Sequence, residues 1–394
     1  MGEGGRGLAV EDAAALGANA LRAGEVAVLV VAGGQGTRLG FDHPKGMFPI
    51  GPVSNDTLFQ IHMEKVLATA RRYNVSVPLC VMTSPATHDE TVRFLDQHDR
   101  FGLPADDLLV FCQGTMPAVD DEHGKLLLAE KHRLALSPDG HGGMLRAIDR
   151  SGTLGRLAER GIRRLFYFQV DNPLVAIASA EMIGYHAASG SQLTTQVIAK
   201  QDPSERVGNV VSVDGRLHVI EYSDLPDDIA ALRNEDGGLK LWAGSIAVHV
   251  MDVDFLRQQA AADDALPFHI AHKKVPHLDL DTRGERIEPD APNALKFERF
   301  IFDLLPAAEN AVVVEVDRRR GFAPLKNAPG AESDTPEHVR EAMVEEHRRW
   351  LTAAGVEVSE GVAVEISPLY ALDEGELCDK LPPDTRVTQP RVFR

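Results

Sequence analysis

The sequence predicts an α/β fold built on a mixed, mainly parallel sheet. Residues 26–32 (VAVLVVA) are an unbroken run of small or branched apolar residues, typical of a buried strand, and a glycine-rich loop follows them. Residues 59–70 then carry apolar residues at helical spacing, and residues 77–82 are a second apolar run. A strand, a helix and a second strand make a βαβ unit, whose strands lie parallel in one sheet.

The first half of the chain continues this alternation. An Asn-Asp-Thr run at residues 55–57 supplies side chains that begin a helix. We expect the loops after residues 32, 112 and 170 to meet at one edge, because ligands of open α/β sheets bind outside the carboxyl ends of the strands. The other elements predicted before residue 171 are helices at 11–22, 89–99 and 144–160, and strands at 108–112 and 165–170.

From residue 193 the pattern changes to closely spaced strands. Asp214-Gly215, between strand-like residues 207–213 and 216–222, is typical of a type I′ hairpin turn. The sheet is therefore predicted to continue with antiparallel strands. The other elements predicted here are strands at 193–199, 241–250 and 311–316, an amphipathic helix at 295–305 and a helix at 336–353.

A polar, turn-rich run at residues 329–337 (PGAESDTPE) marks a domain boundary. We therefore predict a short N-terminal segment over residues 1–24, a large domain over 25–330 and a small C-terminal unit over 331–394. Short strands are expected in the C-terminal unit.

Composition limits the function. The chain has 394 residues, 44% of them hydrophobic, and a net charge of −18, which argues against a general binder of nucleic acids or anionic membranes. Its three cysteines form no CxxC pair, as expected of a protein in a reducing cytoplasm. No apolar run approaches the ~18 residues of a membrane span.

The glycine-rich loop has the chemistry of a phosphate site. Glycines at positions 33, 34, 36 and 40 allow backbone N–H groups to approach phosphate oxygens, and Arg38 and Lys45 add positive charge. Walker A does not fit, because Lys45 is followed by Gly46 instead of Ser or Thr. From Gly34 the chain reads GQGTRL, so the third glycine of the dinucleotide fingerprint is missing. Nucleotidyl transfer remains, in which Arg38 and Lys45 face a triphosphate; the alternative is a glycine turn with two solvated cations.

The wider sequence resembles a known family. LVVAGGQGTRLGFDHPKGMFPIG is similar to the signature of the eukaryotic-type UDP-sugar pyrophosphorylases, in particular the UDP-N-acetylglucosamine pyrophosphorylases. The similarity continues in order along the chain to about residue 370. It includes FCQGTMPA (111–118), SPDGHGG (137–143), VDN (170–172), VIEYSDLP (219–226), HKKVPHLD (272–279), PNALKFERFIFD (292–303), FAPLKNA (322–328) and EISPL (365–369).

The resemblance implies a Rossmann-like α/β/α nucleotidyltransferase core over residues 25–330 and a uridylyltransferase reaction. UTP and a sugar 1-phosphate would give a UDP-sugar and pyrophosphate, with Mg²⁺ as cofactor. The implied partners are these two small molecules, with no nucleic acid and no membrane.

The resemblance also implies residues that hold the nucleotide. Gly33 and Gly34 would lie under the uridine and ribose, where a side chain would clash. Gln113 would read the uracil edge, since its amide offers both a donor and an acceptor. Gly140 would be another close approach to the base.

Charged residues are implied for the phosphates and the metal. Arg38 and Lys45 would bind the triphosphate and the leaving pyrophosphate, and Lys326 would hold the sugar phosphate. Asp171 would hold Mg²⁺, which needs only one or two carboxylates besides phosphates and water. Judged without the resemblance, Asp171 is equally well explained as a helix cap before Pro173.

The implied sugar contacts leave the sugar open. Gly208 and Glu221 match sugar-contacting positions, and Glu221 would accept hydrogen bonds from hydroxyl groups. His141 and Ser245 stand where the N-acetylglucosamine enzymes typically have Asn. The overall match favours N-acetylglucosamine 1-phosphate, whereas these two positions favour glucose 1-phosphate or a broader range. An inactive regulatory protein that binds sugar nucleotides is the alternative from a different class.

Overall fold

The computed structural model describes residues 7–262, 265–279, 284–382 and 385–394. Its centre is a mixed sheet with nine strands in this described part of the chain. In chain order they are β1 Val26–Val31, β2 Leu79–Thr83, β3 Leu108–Cys112, β4 Arg164–Gln169, β5 Leu193–Ala199, β6 Gly208–Val213, β7 Arg216–Ile220, β8 Ala243–Asp252 and β9 Val312–Glu315.

The parallel part of the sheet is centred on β1. The strand order is β7-β6-β8-β4-β1-β2-β3, and β5 pairs with both β8 and β9. Val28 of β1 lies opposite Leu79 of β2 and Phe166 of β4, with both pairs of strands parallel. β8, by contrast, runs antiparallel to β4, β5 and β6. The predicted α/β fold with a mixed sheet is confirmed, and the carboxyl ends of β1, β2, β3 and β4 share one edge.

Helices cover both faces of this sheet. The α-helices of the described part of the chain are α1 Val10–Arg22, α2 Leu58–Tyr73, α3 His88–Gln97, α4 Met144–Arg150, α5 Thr153–Glu159, α6 Ala180–Ser189, α7 Asp227–Ala230, α8 Val253–Ala260, α9 Arg318–Gly321, α10 Pro336–Ala353 and α11 Glu374–Lys380. Val28 and Val30 pack with α1, α2 and α6, whereas Ala27 and Leu29 pack with α4, α5 and α8. Because neighbouring strand residues point to opposite faces, β1 is buried on both sides of a three-layer α/β/α sandwich.

Short 3-10 helices and small sheets lie between these elements. The 3-10 helices are Thr37–Leu39, Lys45–Met47, Asp99–Gly102, Ala105–Asp107, His141–Gly143 and Ile301–Ala307. The additional strands are Thr115–Pro117, Val119–Asp120, Leu128–Glu130, Arg133–Leu134, Leu136–Pro138, His269–Lys273, His277–Asp279, Glu285–Ile287 and Ala294–Glu298.

Local sequence signals set several element ends. The Thr57 hydroxyl accepts a hydrogen bond from the Gln60 amide at 3.2 Å, which caps α2 as the sequence predicts. Between β6 and β7, Asp214 and Gly215 have φ of 50° and 80°. Two positive φ angles are what a type I′ turn requires, so the predicted hairpin is confirmed.

The helix predicted over residues 144–160 is wrong as a single element. The structure has two helices there, α4 and α5, separated by Ser151 and Gly152. Gly152 has a φ of 72°, in the left-handed region that glycine favours and an α-helix excludes. Apolar spacing continues across this break, which is why the sequence pattern did not reveal it.

Residues 295–305 also do not form the predicted helix. Ala294–Glu298 is a strand paired with two neighbouring strands, and the 3-10 helix Ile301–Ala307 follows it. Leu295 and Phe297 alternate with charged residues, which is the period of a strand. Cross-strand pairing therefore decides the conformation of the first half of this segment.

The C-terminal unit has its own apolar cluster. Glu357–Val358 pairs with Arg386–Val387, and Val364–Ile366 pairs with Arg391–Phe393, both parallel. Their apolar side chains pack with Leu377 of α11, separately from the two clusters of the central sheet. The expected short strands are confirmed, while the domain boundaries stay a prediction. In the part of the chain that the structure describes, every helix is too short or too polar to span a bilayer.

Two buried histidines predict a loss of stability in acid. Burial lowers the pKa of His62 and of His249 to about 3. Lys65 lowers the pKa of His62 further, and His141 does the same for His249. In the unfolded chain a histidine has a pKa near 6.5. The contribution of the two neutral histidines to folding stability is therefore complete above about pH 6.5 and is lost as the pH falls towards 3. At pH 5 each costs about 2 kcal/mol of the free energy of unfolding.

Urea unfolding between pH 7.5 and 5 checks this expectation. His249 suits the test because neither of its ring nitrogens has a hydrogen-bond partner among the described residues. H249L should reduce the acid-dependent loss by about 2 kcal/mol at pH 5. An unchanged pH dependence in H249L would show that this residue does not carry the effect.

Candidate active site

Loops from four parallel strands meet at the carboxyl edge of the sheet. The glycine loop of residues 33–46 follows β1, Ser84 follows β2, Gln113 follows β3 and Asp171 follows β4. The Ser84 hydroxyl donates to the Gly33 carbonyl at 2.7 Å. A Cβ added at Gly33 would lie 2.6 Å from Gln113 Oε1, so the first three loops are in contact. The predicted meeting of loops at this edge is confirmed.

The glycine loop folds back on itself. The Gly36 N–H donates to the His43 carbonyl at 2.9 Å, and the Lys45 N–H donates to the Gly34 carbonyl at 3.0 Å. These bonds place Arg38 at an exposed position on the loop and Lys45 at its half-buried base. Within the described residues Arg38 has no hydrogen bond or ion pair, so its guanidinium is available to a ligand.

Gln113 is held by a buried carboxyl group. Gln113 and Asp139 are 7% and 8% exposed, and Gln113 Nε2 donates to Asp139 Oδ1 at 3.4 Å. Burial raises the pKa of Asp139. A Cβ at Gly143 would lie 2.0 Å from Asp139 Oδ1, so this glycine makes room for the carboxyl group. Asp139 thereby orients the Gln113 amide and leaves its Oε1 as an acceptor towards the glycine loop.

The two other glycines predicted at the nucleotide differ in their surroundings. Apart from its two neighbours in the chain, no atom of the described residues lies within 4 Å of a Cβ built at Gly34, so the space above it is open to a ligand. Gly140 has a φ of 82°, and its Cβ would lie 2.4 Å from the Arg299 carbonyl oxygen. Glycine is therefore required at position 140 by the protein itself, whether or not a base also approaches it.

Lys45 and Asp171 form the centre of the site. Lys45 Nζ lies 3.6 Å from Asp171 Oδ2 and donates to the Leu325 carbonyl at 3.2 Å. The Leu325 N–H in turn donates to the Asp171 carbonyl at 2.8 Å. These contacts join the glycine loop, the end of β4 and the segment before α10, although Lys45 and Leu325 are 280 residues apart.

Lys326 follows Leu325 and lies among carboxyl groups. Its N–H donates to the Asp334 carbonyl at 2.9 Å. Burial raises the pKa values of Asp334 and Glu221, and the Lys326 ammonium opposes the rise in both. Lys326 is therefore close enough to interact with groups from two separate loops, one of which carries Glu221.

Three predicted sugar contacts lie on two neighbouring strands, β6 and β8, and directly after the adjacent strand β7. Gly208 of β6 is opposite Ser245 of β8 in the antiparallel register. A Cβ at Gly208 would lie 3.2 Å from Glu221 Oε2. Burial raises the pKa of Glu221, and the Asp224 carboxylate raises it further. The structure thus brings Gly208, Glu221 and Ser245 together on one side of the predicted sugar site, which we call the sugar wall.

His141 has a different environment from these three. Its Nδ1 accepts a hydrogen bond from the Ile301 N–H at 3.3 Å, and its ring stacks on Phe300 at 5.1 Å. Burial lowers the pKa of His141 to about 4, so the ring is neutral at pH 7. Nδ1 is therefore already hydrogen-bonded within the protein, and only the rest of the His141 ring is left for the predicted contact with the sugar.

Sequence reasoning missed the residues that support the site. Asp139 lies in the SPDGHGG motif and Asp303 in PNALKFERFIFD, but an aspartate in a motif does not by itself reveal which side chain it supports. His269 Nε2 lies 2.8 Å from Asp303 Oδ2, and the His269 ring packs on Phe300 at 4.3 Å. Asp334, two residues before α10, lies in the turn-rich run 329–337 and in none of the family motifs; only the folded chain shows its contact with Lys326.

Solved structures define the class of protein. A crystal structure from Entamoeba histolytica, assigned to the UDP-N-acetylglucosamine pyrophosphorylases, matches with a TM-score of 0.88 and 30% identity over 98% of this chain and 96% of that one. The uridine diphosphate N-acetylglucosamine pyrophosphorylase of Trypanosoma brucei, solved with an inhibitor, matches with a TM-score of 0.84 and 26% identity over 96% of this chain and 82% of that one. The fold is that of the UDP-sugar pyrophosphorylases.

Comparison of the sequence identifies the family. The UTP–glucose-1-phosphate uridylyltransferase family matches residues 11–372, and the chain belongs to it. UDP-N-acetylhexosamine pyrophosphorylase-like protein 1 of Xenopus tropicalis is 40% identical over 84% of this chain, which spans 66% of that relative's length. UDP-N-acetylglucosamine pyrophosphorylase of Saccharomyces cerevisiae is 39% identical over 89% of this chain and 75% of its own.

Proposed function

We propose that the protein transfers the uridylyl group of UTP to a sugar 1-phosphate, releasing pyrophosphate. The observation that carries this proposal is the cluster of Lys45, Asp171 and Lys326 at the carboxyl edge of β1 and β4. Lys45 pairs with the Asp171 carboxylate, and Lys326 directly follows Leu325, whose N–H donates to the Asp171 carbonyl. Two cations from separate loops suit a reaction in which two anions must approach each other.

The nucleotide would lie over the glycine loop. Gln113, oriented by Asp139, offers an acceptor and a second N–H to the complementary edge of uracil. The open space above Gly34 accommodates the nucleoside. Arg38 and Lys45 then face the triphosphate, and the Lys45 charge is less screened by water at the half-buried base of the loop.

Transfer requires no protein nucleophile. An oxygen of the sugar phosphate attacks the α-phosphorus of UTP, a new P–O bond forms, and the bond to the β-phosphate oxygen breaks. Negative charge grows on the departing pyrophosphate, where Arg38 and Lys45 stabilise it. Lys326 holds the attacking phosphate in line, so catalysis is positioning and charge neutralisation.

Asp171 fits a magnesium site completed by phosphates. Within the described ranges no three His, Cys, Asp or Glu residues form a metal-binding group. The Asp171 side chain is 14% exposed, and its ion pair with Lys45 is loose at 3.6 Å, so its oxygens can still bind a cation. A single carboxylate with phosphate and water ligands is typical of Mg²⁺, which when bound would neutralise phosphate charge.

N-acetylglucosamine 1-phosphate is the proposed sugar substrate, because relatives that are 34–40% identical over most of this chain carry the names of N-acetylglucosamine or N-acetylhexosamine enzymes. Glucose 1-phosphate is the second candidate. Ser245 stands in the sugar wall without the amide that could pair with an acetamido group.

A panel of sugar 1-phosphates tests the proposal. Pyrophosphate release with UTP should be fastest with N-acetylglucosamine 1-phosphate. Faster turnover of glucose 1-phosphate would correct the sugar, and release with neither would reject the proposed reaction. Proposals that the protein is cytoplasmic and depends on Mg²⁺ are tested separately, by localisation and by chelation.

Glu221 predicts how sugar affinity depends on pH. An ionised carboxylate is the stronger acceptor for sugar hydroxyls, and burial raises the pKa of Glu221. Its neutral form therefore accumulates at a higher pH than in an exposed glutamate, and the KM for the sugar phosphate should rise on acidification. E221Q should raise KM by about tenfold at pH 8 and remove this part of the pH dependence.

The substrate also titrates, since a phosphate monoester has a second pKa near 6. E235Q, a change at an exposed residue, serves as the control. If KM rises equally on acidification in E221Q and in the unaltered protein, the rise comes from titration of the substrate and not from Glu221.

A further inference from the structure

The EISPL motif has no role in the proposed chemistry, yet its first residue is strongly bonded. Glu365 lies in the strand Val364–Ile366 of the C-terminal unit and is 3% exposed. Its Oε2 accepts from the Val53 N–H at 2.8 Å and the Ser54 N–H at 2.7 Å, and its Oε1 accepts from the Ser54 hydroxyl at 2.7 Å. Charge-assisted bonds of this kind are among the strongest in proteins.

The bonded loop connects directly to Lys45. The Ile50 N–H donates to the Asp56 carbonyl at 3.0 Å, which closes the loop that contains Val53 and Ser54. The Leu58 N–H donates to the Phe48 carbonyl at 3.1 Å, and the Phe48 N–H to the Lys45 carbonyl at 3.0 Å. A short series of backbone bonds therefore runs from the Glu365 contact to Lys45.

Further polar contacts reach the same loop from the C-terminal unit. Arg394 donates to both oxygens of Asp56 at 2.9 and 3.0 Å, and Arg340 donates to the Pro49 carbonyl at 2.9 Å. Ile50 is fully buried in the apolar core and anchors the start of this loop, whereas a cavity of about 730 Å³ lies beside Asp56 and Glu365. Since hydrogen bonds are directional and hydrophobic contacts are not, the polar contacts set the position of residues 53–56.

We propose that Glu365 is a positioning residue that holds residues 45–56 so that Lys45 faces the triphosphate. This inference rests on the proposed function. Through this residue the C-terminal unit would act on the active site by positioning residues 45–56. A displacement of about 1 Å at a positioned catalytic group can cost about 100-fold in rate.

Two variants separate positioning from folding. E365A removes all three bonds, and its kcat/KM for UTP should fall by about 10- to 100-fold, with the KM for the sugar phosphate changed less than about threefold. E365Q can keep all three bonds, because the Ser54 hydroxyl can accept from the new amide group, and should restore activity to within about threefold.

R348A is the matched control. Arg348 donates to the Ser359 and Val362 carbonyls inside the C-terminal unit, so its loss weakens the unit without removing a bond to residues 45–56. The inference is supported if R348A lowers Tm as much as E365A does but leaves the kcat/KM for UTP unchanged. An equal loss of kcat/KM in R348A, or normal UTP kinetics in E365A, overturns it.

Hydrogen exchange gives a readout that does not require turnover. In E365A the Lys45 and Phe48 amides should exchange at least about tenfold faster than in the unaltered protein, because their bonds open when the loop is released. Unchanged exchange at Lys45 overturns the inference. If the unaltered protein shows no turnover at all, the proposed function fails, and the exchange at Lys45 still decides the role of Glu365.

Discussion

Replacing Lys326 by alanine is expected to lower kcat/KM for the sugar 1-phosphate by about 10²- to 10³-fold, a size typical for the loss of one charge-stabilising donor. UTP affinity should change less than about threefold, since Lys45 and Arg38 remain. Lys326 lies near Glu221 and Asp334, and its charge is proposed to hold the incoming phosphate. Steady-state kinetics in both substrates and calorimetric titration of UTP measure the two effects separately.

K274A provides the control, because Lys274 is an exposed lysine of the same large domain. Its kinetics should match those of the unaltered protein. Equal losses of UTP binding and sugar-phosphate use in K326A would contradict the assigned role and place Lys326 at the nucleotide instead.

Replacing Asp171 by asparagine should lower kcat by at least about 100-fold and raise the Mg²⁺ concentration needed for half-maximal rate. The change keeps the shape of the side chain but removes the charge that faces Lys45 at 3.6 Å. Rates measured over a range of Mg²⁺ concentrations test it, with D254N at a 95% exposed side chain as the control. A lower kcat with an unchanged Mg²⁺ requirement would mean that Asp171 orients Lys45 and does not hold the metal.

The sequence predicts much of the parallel half of the fold because its strands are continuous apolar runs. β1 is buried on both faces, so its apolar character is uninterrupted, and β3 begins and ends where the sequence places it. Residues 295–305 were predicted wrongly because a short strand is stabilised by its partners, which are distant in sequence. Gly152 breaks a helix that apolar spacing alone would continue.

The candidate site was likewise predictable from the sequence only in part. The glycine loop is contiguous, so its chemistry is visible in the sequence. The approach of Lys45 to Leu325 depends on the whole fold and could be expected only from the family resemblance. The supporting roles of Asp139, Asp334 and Glu365 appear only in the structure, because each acts through a hydrogen bond to a backbone or side-chain group in another loop.

Pyrophosphate release in the presence of both substrates tests the central claim most directly. With UTP, Mg²⁺ and N-acetylglucosamine 1-phosphate, the protein should release one pyrophosphate for each UDP-sugar formed, and UTP alone should give none. Calorimetric binding of UTP with no pyrophosphate from any sugar 1-phosphate would contradict the account and favour a regulatory protein that binds nucleotides.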